Sequence, residues 1–176
     1  MNGFNFSKLV MLTSSSKKGN FFKQMIYVSQ IQEIVENGFW AKLAYRDGTV
    51  LDESLLQMNT TGSDFTDYSI QRTLFASDTN SLISNELKNT ERRKILVFLF
   101  SVEEAVAMAE KTPNSAAVYG NMDKKARTKI INDFKNGALR IIFNVNVLSV
   151  GFDSPNIDCI IMARPTASLA WYYQVL

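Results

Sequence analysis

Gly151-Phe152-Asp153 lies between two apolar runs in "NVNVLSVGFDSPNIDCIIMARPTAS", residues 144 to 168. A glycine lets the backbone approach a ligand that a side chain would keep away, and a carboxylate two residues later suits a ribose hydroxyl or a cation. Open parallel sheets bind ligands beyond the carboxyl ends of their strands, so Gly151 and Asp153 are candidates for a nucleotide edge. The same residues also suit a plain βα turn, with Gly151 at positive φ and Asp153 capping against Asn156. Other strand ends carry polar groups as well: Ser101 after "ILVFLF", Tyr119-Gly120-Asn121 after "AAV", and Asn144 and Asn146 at the start of the quoted stretch.

The residues that are missing narrow the chemistry further. Histidine is absent and Cys159 is the single cysteine, which excludes disulfides, Cys/His zinc sites, Ser-His-Asp triads and Cys-His nucleophiles. Any chemistry must use carboxylates, Lys/Arg and backbone groups. None of the 8 glycines precedes a lysine, so the phosphate-cradling G-x-x-x-x-G-K-S/T pattern does not occur. G-x-G-x-x-G and a D-E-x-D/H run for magnesium are missing too. Cys159, within "DCIIMA", reads as a core residue.

The elements that must position these groups follow from hydrophobic patterning. The 176 residues, 46% hydrophobic and 20% charged, describe an ordinary ordered globular chain, and the net charge of +2 is too small to argue for or against nucleic acid. "ILVFLF" (95 to 100) is a continuous run expected of a strand buried on both faces. Ser101 and Glu104 form a capping box for a helix whose Val102, Ala105, Val106 and Ala109 face a sheet. "AAVYG" is a short strand. "DKKARTKIINDFKNG" is an amphipathic helix started by Asp123, with Ala126, Ile130, Ile131 and Phe134 on one face and Gly137 at its end. "RIIFNV" and "DCIIMA" are the next strands, and Ser168 caps a helix over "SLAWYYQVL". Strands alternating with helices of this length give right-handed βαβ units, hence an α/β parallel sheet with helices on both faces over residues 91 to 176.

Upstream the pattern is less regular. "KLVMLT" (8 to 13) reads as a strand, "SQIQEIVENG" as a short helix with Ser29 and Gln32 as its capping box, and "FWAKLAYRDGTVL" as two strands around an Asp47-Gly48 turn. "NTTGSD" (59 to 64) is a loop by composition. Two helices are expected between Phe65 and Lys88, the second capped by Asp78 or Asn80. The charged "KNTERRK" segment marks a boundary. Lys124, Lys125, Arg127 and Lys129 gather positive charge on one helix, which either follows phosphates or, the favoured reading, is a solvated face with Arg127 anchoring the helix. Trp171, Tyr172 and Tyr173 could stack on bases, but at consecutive helical positions at least two are expected to pack on the sheet.

In order and spacing, "ILVFLFSVEEA", "AVYGNMDKKARTKIINDFKNG", "RIIFNVNVLSVGFDSPNIDCIIMARPTAS" and "YYQVL" resemble the second RecA-like domain of superfamily 2 (DEAD/DEAH-type) helicases. The wording is similar to bacterial and phage RadD-like and restriction-motor DNA helicases. By this resemblance "VFLFS" is motif IV, "NVNVLSVGFD" is motif V and "YYQVL" opens motif VI, normally Q-x-x-G-R-x-x-R. The resemblance implies that Gly151, Asp153 and Gln174 lie on the cleft where ATP is held between two RecA-like domains. It places Ser101, Gly120, Asn121, Asn144 and Asn146 on the nucleic-acid track. ATP and Mg would be bound mainly by a first motor domain, which is the implied partner together with nucleic acid, DNA by this wording. The arginines that act on the γ-phosphate in motif VI lie beyond "YYQVL", so no catalytic residue is expected within this sequence. Asn144 and Asn146 depart from the family's usual Thr or Asn and Asp; their neutral amides still donate to a phosphate, while a salt-bridge role for the Asp is in doubt.

The implied organisation is the end of a first motor domain and an inter-domain segment in 1 to 58, a helical connection in 59 to 90, and a RecA-like C-terminal domain in 91 to 176. The implied function is one wall of the ATP cleft, and part of the track, of an ATP-dependent DNA helicase or translocase, inactive on its own. The alternative is a non-catalytic nucleic-acid-binding or regulatory module of the same shape. A small-molecule enzyme on a Rossmann-like sheet is a further reading, disfavoured by the missing glycine-rich loop. With no apolar run of about 18 residues, no membrane partner and a cytoplasmic location are expected.

Overall fold

A computed structural model describes residues 51 to 148 and 156 to 175, together with 33, 36, 37, 44, 152 and 154. The chain divides into two compact units, Met1–Gly48 and Thr49–Leu176. In the first, Glu33 and Glu36 are helical and the Asn37 N–H donates to the Glu33 carbonyl at 3.0 Å. The expected strand at 8 to 13, the rest of that helix and the Asp47-Gly48 turn lie outside the described residues.

The second unit opens with a 3₁₀ turn, Glu53–Leu55, and a small hairpin closed by Met58 pairing antiparallel with Phe65. Two helices follow, α1 (Asp67–Ala76) and α2 (Thr79–Asn89). Then come β1 (Ile95–Phe98), α3 (Val102–Lys111), β2 (Ser115–Tyr119), α4 (Lys124–Asn136), β3 (Ile141–Val145), β4 (Cys159–Met162) and α5 (Leu169–Val175). The local signals act as their chemistry dictates. Thr66 caps α1, the Ser101 hydroxyl accepts from the Glu104 N–H at 3.1 Å, and Asp123 accepts from the Ala126 N–H at 2.9 Å. Gly137 ends α4 at φ 90°, a left-handed conformation that favours glycine. Asp78 precedes α2 at φ 45° without a side-chain capping bond.

The four strands are all parallel, in the order β2-β3-β1-β4, with Val118, Asn144, Phe98 and Met162 level across the sheet. Side chains alternate between faces, so odd and even residues of β1 enter different cores. Ile95, Val97 and Leu99 pack with Ile141, Phe143, α2 (Ile83, Leu87) and α3 (Ala105, Met108). Leu96 and Phe98 pack with Ile142, α4 (Phe134, Ile130, Ile131) and α5 (Val175, Trp171). Burial on both faces is what the unbroken apolar run of β1 requires. Ala126, expected on the inward face of α4, is exposed together with Lys124 and Lys125 in the first turn; the helix enters the core from Ile130 onward.

The amino end of the sheet is tied down by two charged side chains. The Arg140 guanidinium donates to the carbonyls of Arg92 at 2.9 Å, Thr90 at 2.8 Å and Leu87 at 3.4 Å, taking up acceptors freed where α2 ends. The Asp158 carboxylate accepts from the Arg93 and Lys94 N–H groups at 2.8 and 2.9 Å, which fixes the entry to β1 beside β4. Lys94 lies with its ammonium 4.6 Å from the Phe134 ring centre, shielded and without a hydrogen-bond partner, and burial pushes its pKa down.

Candidate functional site

Because all four strands run the same way, their carboxyl ends share one edge, where loops and helix starts bring polar groups together. Two buried donors on this edge, the Asn144 NH2 and the Arg164 Nε, have no hydrogen-bond partner. Asn144, 0% exposed on β3, turns its amide toward the loop that follows. Its Oδ1 accepts from the Val147 N–H at 3.3 Å and the Leu148 N–H at 2.9 Å, while its NH2 has no partner. A buried amide donor left without an acceptor costs about 1–3 kcal/mol, so the fold keeps Asn144 for what its oxygen does. It holds the turn after β3, and its burial leaves it no surface for a ligand.

Asn146 stands in that turn at φ 56°, a left-handed position asparagine tolerates better than most residues, and it is exposed. Its Oδ1 accepts from Arg164 Nη1 at 2.8 Å. Arg164 follows β4 with its side chain only 17% exposed, its guanidinium carbon 5.5 Å from the Trp171 ring centre and 5.9 Å from that of Phe100. Its Nη2 is 3.7 Å from Asp64 Oδ2, and its Nε is buried without a partner. Asp64 comes from the hairpin before α1 and accepts from the Ala167 N–H at 2.8 Å and the Thr166 hydroxyl at 3.1 Å. Trp171 in turn packs edge-on against Phe98, with ring centres 6.0 Å apart.

The remaining expected residues are arranged around this network. Ser101, half-buried at the end of β1, spends its hydroxyl on the cap of α3. Gly120 and Asn121 are exposed at the end of β2, and a Cβ built on Gly120 would meet nothing within 4 Å, so an approaching strand has room there. The Gly120 carbonyl accepts from Arg127 Nη1 at 3.5 Å, which uses that arginine to tie α4 to the preceding turn. Lys129 pairs with Asp133 on the open face of α4. Ser168 caps α5 through its hydroxyl, 3.4 Å from the Trp171 N–H. Gly151 and Asp153 lie outside the described residues, and Gln174 is placed by its backbone alone, in the last turn of α5. Cys159, half-buried, has its thiol pKa pushed up by burial and by the neighbouring Asp158 carboxylate, opposed by Arg92. Sequence reasoning passed over Arg164 and Asp64; the signal it could have used is a charge placed at the end of an apolar strand in "IIMAR".

Among the described residues no three His, Cys, Asp or Glu side chains gather where a metal ion could bind, and no helix is long and apolar enough to cross a membrane. Among the described residues, this edge carries the amides of Asn121, Asn144 and Asn146, the Ser101 hydroxyl, and the guanidinium groups of Arg127 and Arg164.

A four-stranded parallel sheet with helices on both faces and a polar carboxyl edge is the layout of a RecA-like helicase domain. The chain belongs to the helicase family through its conserved C-terminal domain, whose pattern matches residues 78–176, more than half of the sequence. It is 26% identical over 157 residues to a 51.5 kDa protein of a Lactococcus phage (isolate 7-9), covering 87% of this chain and 34% of that protein. To the putative ATP-dependent helicase IRC3 of Saccharomyces cerevisiae it is 25% identical over 161 residues, covering 87% of this chain and 23% of IRC3. The fold is also that of the C-terminal domain of the DEAD-box protein Dbp5, with a TM-score of 0.50 at 17% identity over 55% of this chain and 59% of that one. The chain thus spans about a third or less of the curated relatives it matches over most of its length.

Proposed function

We propose that this chain is the C-terminal RecA-like portion of an ATP-dependent helicase or translocase, supplying one wall of an ATP cleft and part of a nucleic-acid track. The observation that carries this reading is the single edge onto which β1, β2, β3 and β4 deliver Ser101, Gly120, Asn121, Asn146 and Arg164. Exposed Asn121, Asn146 and the open backbone at Gly120 contact the phosphates of one strand, while Asn144 acts from beneath by holding the turn. Contacts of this kind position a strand without reading its bases. DNA is the proposed strand. Its support is the similarity of the motif wording to phage and bacterial DNA helicases; the RNA helicase DBP3 of S. cerevisiae matches over only 40% of the chain.

Gly151, Asp153 and Gln174 are the proposed ATP-facing residues. ATP with Mg supplies the free energy of the motor when bound, and its phosphate cradle belongs to a first RecA-like domain, since no G-x-x-x-x-G-K-S/T occurs in these residues. This chain's own part is to present the carboxyl edge, hold the turn after β3 and close against that domain. The test is strand-stimulated ATP turnover by the intact protein carrying Asp153→Ala. A loss of about tenfold or more with an unchanged thermal midpoint is expected, and unchanged turnover removes Asp153 from the site.

A further inference from the structure

We infer that Arg164 is a positioning residue that sets the orientation of the Asn146 amide, so that the Asn146 NH2 faces the nucleic-acid strand. The inference deepens the proposed function and rests on it. Four observations lead to it. First, an asparagine amide has an acceptor end and a donor end, and only the donor end can bind a phosphate oxygen. Arg164, a pure donor, occupies the oxygen at 2.8 Å, which leaves the NH2 on the far side of an exposed residue with no partner among the described residues.

Second, the arginine is itself held. Its guanidinium lies over Trp171 and Phe100, and Asp64 approaches its other terminal nitrogen at 3.7 Å. Asp64 is in turn fixed by the Ala167 N–H and the Thr166 hydroxyl. Third, the backbone under Asn146 is fixed independently by Asn144, whose oxygen takes the N–H groups of Val147 and Leu148. Asn146 is therefore held at its backbone by one neighbour and at its amide by another, as expected of a preorganised contact rather than of a loop residue. Fourth, the Arg164 side chain faces inward: one terminal nitrogen donates to Asn146, the other lies 3.7 Å from Asp64, Nε is buried, and only 17% of the side chain is exposed. Little of the guanidinium is therefore open to a strand, while the Asn146 amide is exposed.

The two roles differ in salt dependence and in coupling. A cation on a single-strand phosphate contributes about −0.7 to the slope of log affinity against log salt, whereas a neutral amide donor releases no counterion. A residue acting only through Asn146 also loses its effect once the amide is gone. The experiment measures binding of a fluorescein-labelled 20-nucleotide oligo-dT to the 176-residue chain at several salt concentrations. It compares wild type, Arg164→Gln, Asn146→Gly and the double variant, with circular dichroism and thermal midpoints confirming each is folded. Glycine at 146 keeps the left-handed turn and removes the amide.

Arg164→Gln and Asn146→Gly are each expected to weaken binding about threefold or more, with the salt slope unchanged, and the double variant to be no weaker than the weaker single. Asp64→Asn, which keeps an acceptor oxygen for Ala167, is expected to weaken binding in the same direction by less. This variant carries the comparison if Arg164→Gln does not fold: the loss it causes must vanish in the Asn146→Gly background. Losses that add in a double variant, a slope shallower by about 0.7 in Arg164→Gln, or unchanged binding overturn the inference while leaving the proposed function standing. No binding by the wild type removes both.

Discussion

Replacing Arg140 by methionine keeps its aliphatic stem and deletes the guanidinium that closes the amino end of the sheet. Two of its bonds are well formed, at 2.9 Å to Arg92 O and 2.8 Å to Thr90 O; the third, at 3.4 Å to Leu87 O, is long. A hydrogen bond from a charged donor contributes about 1.5–3 kcal/mol when well buried. Arg140 is half-buried and its carbonyl partners border solvent, so about 1 kcal/mol for each good bond is the fair value, or ~2 kcal/mol in all. A domain of this size loses roughly 3–5 °C of thermal midpoint per kcal/mol, which places the expected drop at about 6–10 °C. Urea unfolding followed by circular dichroism at 222 nm reads the same quantity as a lower midpoint at constant slope. A change below about 0.5 kcal/mol would refute the reasoning, since it would mean water serves those carbonyls as well as the arginine does.

Two further outcomes concern alkaline pH, where Lys94 and Cys159 act with opposite sign. Burial lowers the Lys94 pKa from 10.5 despite the Phe134 ring, so the unfolded chain binds the extra proton and this group's penalty fades as pH rises toward 10.5; Lys94→Met should therefore raise the thermal midpoint at pH 7, with the gain shrinking by pH 10.5. The Cys159 pKa is raised above 9.0, so its thiol contributes stability below pH 9 that is lost as pH climbs through the folded value. Its thiolate fraction at pH 8 is below that of free cysteine, and reaction with a disulfide reagent should be slower in the folded chain than after unfolding in urea; equal rates would contradict the burial assigned to it.

The strand and helix pattern from Ile95 onward was legible because both periods are written plainly: unbroken apolar runs for strands buried on both faces, and caps at Ser101, Asp123 and Gly137 that form as their chemistry requires. Ala126 misled because a helix period gives a residue's face but not where along the helix the core begins. The Ser101–Glu104 box is half made: the hydroxyl takes the Glu104 N–H, and among the described residues no bond returns from the Glu104 carboxylate. "NTTGSD" read as a loop by composition and is one, the connection between Met58 and Phe65; what composition did not show is that its last residue, Asp64, bonds to Ala167, 103 positions away. No local pattern encodes such a contact, so Asp64 went unseen; Arg164 carried one local signal, a charge ending the apolar run "IIMAR", but nothing in sequence tied it to Asp64 or Asn146. Asn144 was legible as a polar residue at a strand end, yet not as a buried one: its neighbours in sequence do not reveal that Phe98 and Val118 flank it across the sheet.

ATP turnover, measured side by side in the isolated 176-residue chain and in the intact protein with and without single-stranded DNA, tests the split-site account most directly. The account predicts no turnover by the chain alone and strand-stimulated turnover by the intact protein. Robust hydrolysis by the isolated chain would contradict it.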